Sequence, residues 1–485
     1  MFRDQKTYLL FLNFSSDLIC LSALYYLILP LFLSNSDIFF SFIEGSILKN
    51  HLLSTHSFIL FYPSIILIPL AVMKIFQIND KIVLRNIQMI FYQSIILCIT
   101  AAGVLFIFSL VIDFNLKISA YFSIISGSLL FPMLVLNRIY ILHIIKKGSA
   151  NNNLVKHLLL AGTGPNAQSI LRYIEDHPEC GLRVTGFMTN KDSEIDKKIF
   201  NKKIVGKIDN LITLVQKYYT DCVVYTGDSG YSEYHANLLK SCSVMGIDFA
   251  TTELTLHNNI IQNESVFSEN IGDIELKLVK FIYINSRDLF LKRVFDFTVS
   301  LFLTVALLPL LITIAILIKL TSKGPVFFQQ ERLGKYGRKF FLLKFRSMVA
   351  DAEQMQEQLM HLNEMDGPAF KIKNDPRLTK VGSFLRKLSL DELPQLFNVL
   401  RGDISLVGPR PAIEDEVLQY RPIDRKRLAV IQGITCIWQI SGRNTIKFDE
   451  WMKLDLMYIE NWSRMLDFEI LFKTLPAVFL KKGAY

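Results

Sequence analysis

His157-Leu158-Leu159-Leu160-Ala161, then Gly162-Thr163-Gly164-Pro165-Asn166-Ala167, then Gln168–Asp176: this stretch decides how the middle of the chain folds. The apolar run reads as a short buried strand, and the segment after Ala167 as a helix. G-x-G-x-x-A between a strand and a helix is the setting in which glycines turn the chain and let a diphosphate approach a helix N-terminus. Val184–Met188 and Cys222–Tyr225 read as further strands, with Leu211–Tyr218 a helix between them. A small α/β Rossmann-like domain is therefore expected over 151–285, with Thr251–Ile284 a connector containing strands. The fold does not name a ligand. Thr189-Asn190 stand where an acidic ribose partner is expected, and no Tyr-x-x-x-Lys occurs anywhere in the chain. A module kept for structure, assembly or regulation fits as well as a cofactor site does.

Upstream, residues 1–150 hold four long apolar segments: Tyr8–Phe32, Ser57–Ile75, Ile87–Ile112 and Ile118–Ile145. At ~1.5 Å per residue each can cross a bilayer core of ~30 Å. Arg3 and Lys6 precede the first segment. Lys74, Lys81 and Arg85 flank the second break, and Arg138, Lys146 and Lys147 close the fourth segment. The positive-inside rule puts both ends of such a four-span bundle in the cytoplasm. Asp17 lies in the first segment among Asn13, Ser15 and Ser16, so hydrogen bonding there or to a neighbouring helix is expected for it.

The whole chain agrees with a membrane protein. Of 485 residues 51% are hydrophobic, 37 of them Phe, and mean hydropathy is +0.33. The net charge of +9 comes without a nucleic-acid motif, and points to acidic lipid headgroups or phosphorylated substrates, or simply to basic cytoplasmic loops. No nucleic-acid partner is expected. Six scattered Cys with no C-x-x-C read as free thiols and not as a zinc site. The first apolar segment lacks a cleavage site and does not read as a removable signal.

Downstream, 286–485 carries the chemistry. Ser389-Leu390-Asp391-Glu392-Leu393-Pro394-Gln395 sets two adjacent carboxylates before a helix expected over Gln395–Leu400. Arg377, Lys380, Arg386, Lys387, Arg401 and Arg410 surround it in sequence, so both acids are expected to be ionised. An ionised carboxylate can attack phosphorus or bind a hard metal, and the same cations can hold phosphates. A capping box from Ser389 to Glu392 is the plainer reading, but it puts Pro394 inside the helix. A cap at Asp391 or Glu392 leaves Pro394 in the first turn. Val407-Gly408-Pro409-Arg410-Pro411 fixes one guanidinium between two prolines, which suits bidentate phosphate binding. Gln439-Ile440-Ser441-Gly442-Arg443 is a second polar turn, and Asp455 lies on an expected helix. Gly334–Arg338 reads as a hairpin connection, Phe340–Phe345 as a strand and Val349–Met365 as an amphipathic helix. Phe297–Ile318 is uncharged with Pro309 near its middle, and basic residues flank both sides. A re-entrant helix that enters the membrane and turns back, within 292–320, is expected. The tail Leu466–Leu480 reads as an amphipathic segment on the membrane surface.

Lys292-Arg293…Asp296, Lys344-Phe345-Arg346-Ser347-Met348, Ser389–Gln395, Val407–Pro411 and Gln439–Arg443 occur here in one order. In this the chain resembles the monotopic phosphoglycosyl transferases, the polyprenyl-phosphate sugar-1-phosphate transferases, and in layout their large exopolysaccharide-assembly branch. The resemblance implies a four-span helical bundle, a Rossmann-like domain and an α/β monotopic catalytic domain. It implies transfer of sugar-1-phosphate from a nucleoside diphosphate sugar, a UDP-sugar, to undecaprenyl phosphate with Mg2+, at the bacterial inner membrane. By the same resemblance Asp391 is the nucleophile and Glu392 the Mg2+ ligand, with Asp391 beside the metal. Lys344, Arg346, Arg377, Arg386, Arg410, Gln439, Arg443 and Asp455 are expected to bind substrate. Two departures stand out. Gln432-Gly433-Ile434-Thr435-Cys436 replaces a Pro-Gly-Ile-Thr-Gly pattern, and Leu308 precedes Pro309 where many members carry serine. The rival readings are a nucleotide-sugar oxidoreductase or epimerase using Gly162 and Gly164, and a non-enzymatic membrane scaffold. The sequence leaves the sugar, the polymer and the oligomeric state open, a homo-oligomer included.

Overall fold

The computed structural model describes residues 17, 20, 22, 87–111, 124–137, 139 and, with short omissions, 155–479; the longest omissions are 253–264 and 362–371. The chain divides into two compact units, 2–154 and 155–485.

In the first unit, α1 (Ile87–Val111) is uncharged along its length, and α2 (Ile124–Asn137) is a second apolar helix. Side chains are described for Ser94–Ile107 of α1, and no single helix among the described residues is long and apolar enough to cross a membrane. Ile99, Ile107, Ile124 and Leu136 are exposed, an apolar surface that water would disfavour. Asp17 is buried and accepts a hydrogen bond from Asn137 Nδ2 at 3.5 Å. Of the four expected segments, the second and nearly all of the first lie outside the described residues.

The second unit opens with the Rossmann-like module. Its elements are β1 (Lys156–Ala161), α3 (Pro165–Asp176), β2 (Leu182–Thr189), β3 (Lys198–Ile199), β4 (Lys202–Lys207), α4 (Leu211–Tyr218), β5 (Cys222–Tyr225), α5 (Ser232–Met245), β6 (Asp248–Thr251), β7 (Ser265–Ile271) and β8 (Ile274–Lys280). They form an eight-stranded sheet in the order β3-β4-β2-β1-β5-β6-β8-β7. β4, β2, β1, β5 and β6 run parallel. The remaining strands join antiparallel. Leu159, Ala161, Val223, Tyr225 and Phe249 share the face that α4 and α5 cover, and Leu158, Leu160, Val224 and Ala250 are buried on the other, as central parallel strands require. The expected connector Thr251–Ile284 thus holds a full hairpin, β7–β8, which lengthens the sheet. Its turn needs Gly272, whose φ is +60 and where a Cβ would come within 2.8 Å of Tyr173.

The rest of the unit carries α6 (Ser286–Ala306), α7 (Leu308–Thr321), β9 (Phe327–Leu333), β10 (Lys339–Phe345), α8 (Lys380–Lys387), α9 (Gln395–Arg401), β11 (Ser405–Val407), β12 (Gly433–Thr435), α10 (Ile437–Ser441), α11 (Phe448–Glu460) and α12 (Arg464–Phe479). Within the expected helix over Val349–Met365, helix is described only at Gln354–Gln358. α6 and α7 form a bent apolar pair at 62°. The break falls at Leu307, and Pro309 sits in the first turn of α7, where its missing N–H costs little. Thr304 donates to Ser300 O and Thr313 to Pro309 O, so each hydroxyl bonds within its own helix. Phe302, Val305, Ile312, Ile316 and Leu320 are exposed, while Leu311, Ile314 and Ile318 pack inward. The basic start of α6 ties the pair to the domain. Arg293 donates to the last carbonyls of α9, at Val399 and Leu400. Lys292 donates to Val407 O at 3.1 Å and pairs with Asp467. Asp296 accepts from Ser405 Oγ at 2.7 Å.

Candidate active site

The carboxylate pair stands on a tight turn. Ser389 adopts a left-handed conformation with φ +54, Leu390–Glu392 form one 3₁₀ turn, and Pro394 caps α9 with no side-chain hydrogen bond. The capping box is therefore absent, and the cap falls at Pro394, later than Asp391 or Glu392. Leu390 and Leu393, on either side of the pair, pack with Leu311, Ile314 and Ile318 of α7 and with Phe345 and Leu385. The carboxylate turn is seated directly on the bent apolar helix.

Two cations meet Glu392. Lys344 Nζ donates to its Oε1 at 2.8 Å, and Arg410 Nη1 reaches the same oxygen at 3.4 Å. Burial works against its charge, but Lys344 and Arg410 outweigh it and hold the carboxyl far below the usual carboxylate range. Asp391 behaves differently. Burial raises its pKa, Lys344 and Arg386 pull down, and the neighbouring Glu392 charge pushes up, for a net rise. The expectation is of two ionised acids; at Asp391 burial and the neighbouring Glu392 charge oppose it, and among the described residues the close cation contacts fall on Glu392. Lys344 itself is lowered by burial, with Glu392 opposing.

β9 and β10 place these groups. Lys344 lies opposite Phe328, Leu342 opposite Gln330 and Phe340 opposite Arg332, so Lys344, Gln330 and Arg332 share a face. Arg332 was not expected in the site. Its Nε and Nη2 donate to Gln330 Oε1 at 3.1 and 2.7 Å, and its Nη1 donates to Pro411 O at 3.0 Å. Burial lowers its pKa to about 10, Arg410 adding to the effect. Alternation along Phe327–Leu333 is the sequence signal that could have found it.

Other expected substrate ligands have settled partners. Arg377 forms a buried fork with Asp375, Nε to Oδ1 at 2.8 Å and Nη2 to Oδ2 at 2.6 Å. Its guanidinium is held by its own loop. Asp455, at 1% exposure, pairs with Arg427 Nη2 at 2.8 Å and accepts from Trp451. Arg427 in turn donates to Arg410 O at 2.9 Å, so Asp455 acts through Arg427 on the loop that carries Arg410. Arg346 Nη2 donates to Ser322 O and Oγ at 2.8 and 2.7 Å, closing the end of α7. Gly324 makes room for it: φ is +122 and a Cβ there would lie 2.1 Å from Arg346 Nη1. Arg386 bonds Ser347 Oγ at 3.1 Å and acts on Asp391 through its charge. Gln439 Oε1 accepts from Cys436 Sγ at 3.2 Å. Arg443 lies outside the described residues. The departures are accommodated. Cys436 is in extended backbone that any residue adopts, and Gln432 Nε2 donates to Arg427 O and Val430 O at 3.0 and 2.9 Å.

Among the described residues no three His, Cys, Asp or Glu side chains cluster as a metal cage. The adjacent carboxylates of Glu392 and Asp391 fit Mg2+, which takes one or two carboxylates and completes its shell with water and substrate phosphates. Both cation contacts fall on Glu392 Oε1.

In the Rossmann-like module the glycine turn is filled from within. Glu194 Oε2 accepts from Thr189 Oγ1 at 2.7 Å and from Thr163 Oγ1 at 3.2 Å. Gln168 Nε2 donates to Thr163 O and Asn166 Nδ2 to Thr226 O. A carboxylate of the chain itself thus sits against the turn where a ligand phosphate would be expected.

A carboxylate clamped by cations, on a turn resting against an apolar helix, suits chemistry on phosphates. Known proteins agree. Residues 287–481 match the family described as bacterial sugar transferase, and 82–226 that described as CoA-binding domain. The UDP-galactose-lipid carrier transferase of Erwinia amylovora is 33% identical over 340 residues, 68% of this chain and 69% of its own. The UDP-glucose:undecaprenyl-phosphate glucose-1-phosphate transferase of Klebsiella pneumoniae is 33% identical over 344 residues, again 68% and 69%. The galactosyl transferase CpsE of Streptococcus agalactiae is 52% identical over 162 residues, 33% of this chain and 36% of that one. The chain belongs to the bacterial sugar transferases and is an enzyme.

Proposed function

We propose that the chain transfers a hexose-1-phosphate from a UDP-hexose to undecaprenyl phosphate, the first membrane step of an exopolysaccharide repeat unit. One observation carries the reading: Glu392, clamped by Lys344 and Arg410 beside Asp391, stands on a turn packed against α7. Phosphate-binding charge and an apolar helix meet there. Relatives named for UDP-galactose, UDP-glucose and undecaprenyl phosphate support the donor and the acceptor.

In this reading an Asp391 carboxylate oxygen attacks the sugar-bearing phosphorus. The new O–P bond forms as the bond to the bridging oxygen breaks, and UMP leaves with that electron pair. An oxygen of undecaprenyl phosphate then attacks the same phosphorus, the bond to Asp391 breaks, and the carboxylate is restored. Covalent catalysis suits a site that serves two dissimilar substrates in turn. Lys344 and Arg386 favour the ionised Asp391 that attack requires, against burial and the Glu392 charge. Arg410, part-exposed, presents its remaining guanidinium donors to phosphate. Glu392 with Asp391 would hold Mg2+, which when bound would supply charge neutralisation for the diphosphate.

The same reading places the protein in the cytoplasmic membrane. The segments of 1–150 form a multi-pass bundle, and α6–α7 enter the inner leaflet and return. α12, which leaves Met465 and Phe472 exposed, lies along the surface. The lack of a Tyr-x-x-x-Lys in the sequence counts against an oxidoreductase or epimerase.

The test is purified protein with undecaprenyl phosphate and a panel of radiolabelled UDP-sugars, scoring label in the lipid phase. Native protein should label the lipid with a UDP-hexose, and with donor alone should gain a phosphosugar adduct by intact mass. Asp391→Asn should show neither. Near-native transfer by Asp391→Asn rules out the covalent role, and no label from any UDP-sugar rules out the donor class. Single cysteines at Ser286 and Lys323, in a background without native cysteines, test the return of α6–α7. An impermeant thiol reagent on intact cells should reach neither until lysis; labelling of Lys323→Cys alone shows a crossing.

A further inference from the structure

The turn between β9 and β10 lies at the opposite end of the hairpin from Lys344, and it is docked into the Rossmann-like sheet. Arg338 Nη2 donates to Val155 O at 2.7 Å and to Asp221 Oδ2 at 2.8 Å. Asp221 is 1% exposed and also accepts from the His157 N–H at 2.8 Å. These residues stand where β1 and β5 begin, the edge opposite the glycine turn. Tyr336 takes a left-handed conformation, φ +58. Its ring meets Lys156 at 5.8 Å, Arg338 at 5.7 Å and Lys335 at 4.9 Å. Gly337 has φ +78, and a Cβ there would lie 2.2 Å from the ring of Tyr219, itself left-handed at φ +46. Tyr219 donates to Glu414, which pairs with Lys339. Gly337 takes the left-handed conformation freely, whereas it is uncommon for a residue such as Tyr336.

From the docked end the ribbon runs without a register break, Lys339↔Leu333 to Phe345↔Phe327. Leu343 N donates to Asn398 Oδ1 at 2.9 Å, and Asn398 Nδ2 to Phe341 O at 2.8 Å, which fixes β10 to α9 behind the carboxylate turn. Leu333 N donates to Ala412 O at 2.8 Å and Arg332 Nη1 to Pro411 O at 3.0 Å, which fixes β9 to the loop bearing Arg410. Both cations on Glu392 are therefore tied to one hairpin, and that hairpin is held at its far end by the other module.

We propose that the Rossmann-like module is a positioning element for the transferase site, and that Arg338 is the positioning residue through which it sets Lys344 and Arg410. The proposal rests on the transferase reading for its kinetic arm only. Two full-length variants test it: Arg338→Met, which strips the partner from buried Asp221, and Gly337→Val, which cannot keep its backbone or clear Tyr219. Amide exchange at Tyr336–Gly337 reports docking, exchange at Leu343 reports the strand behind the site, and lipid-linked sugar formation reports catalysis. Release of the turn should speed exchange at Leu343 and lower kcat/KM about tenfold or more, since small misplacements of reacting groups are costly. Arg338→Lys should restore part of both. A released turn with Leu343 exchange and kcat/KM within about twofold of native overturns the proposal. So does unchanged exchange at the turn in both variants, which would mean that Arg338 and Gly337 do not hold it. Absence of transfer by the native chain would count against the transferase reading alone, the exchange comparison standing without it.

Discussion

Replacing Asp455 by asparagine removes one charge and almost no volume. Arg427 and Asp455 are each 1% exposed and 2.8 Å apart, so the variant leaves a guanidinium buried without its counter-charge. Stripping one partner from a buried pair costs about 3–5 kcal/mol. Arg427 keeps the Tyr420 hydroxyl, the Arg410 carbonyl and the faces of Tyr420 and Trp451 at 5.5 and 5.3 Å, which argues for the low end, about 3 kcal/mol. In a domain of this size that is a fall in Tm of roughly 6–12 °C. Trp438 and Trp451 lie with ring centroids 4.5 Å apart in the same cluster, so tryptophan fluorescence in detergent follows the region directly. A drop under about 2 °C would refute the argument that Asp455 is there to neutralise Arg427. The double replacement Arg427→Met with Asp455→Leu supplies the contrast. Removing both charges should cost less than Asp455→Asn alone, although it also frees the Arg410 carbonyl.

Arg410→Lys should lower kcat/KM for the nucleotide donor about tenfold or more, because an ammonium cannot reproduce a two-pronged guanidinium contact; a donor titration decides it. Glu392→Gln should abolish most activity and weaken the response to added Mg2+, and an unchanged Mg2+ titration would remove Glu392 from the metal. Burial, with Arg338 and Arg183, lowers the His157 pKa from 6.5 to about 4. The unfolded chain therefore takes up that proton more readily, so the contribution is complete above pH 6.5 and is lost as pH falls toward 4. His157→Gln should flatten the difference in stability between pH 6.5 and 4.5 by about 1–2 kcal/mol, read by thermal melts at both pH values.

Much of the fold could be read from residue order because its signals are local. Leu211–Tyr218 and Cys222–Tyr225 appear with the expected bounds, and the glycine turn follows β1 as its spacing demands. β7 and β8 were less legible: Ser265–Ile271 has three of its seven side chains exposed, and without a partner such a strand resembles a loop. At the site, adjacent carboxylates among cations marked Asp391 and Glu392, but not which cations face them. Arg377 is absorbed by Asp375, two residues away, and Asp455 by Arg427, 28 residues away. Lys344 and Arg410 reach Glu392 from opposite sides in sequence. Those outcomes depend on tertiary placement, and so does the identity of Arg332, whose neighbours are strand partners and a loop carbonyl.

Cys436 occupies extended backbone, with φ −152 and ψ 171, and is buried. The pattern that the chain resembles has glycine there, but the backbone does not require it. Patterns that insist on glycine at this point will pass over enzymes built on the same plan. Gly433 is another matter, since a Cβ would fall 2.1 Å from the Gly408 nitrogen. A search drawn on crowding would keep Gly408 and Gly433 fixed and let Cys436 vary, and it would gather a wider and chemically sounder set of sequences.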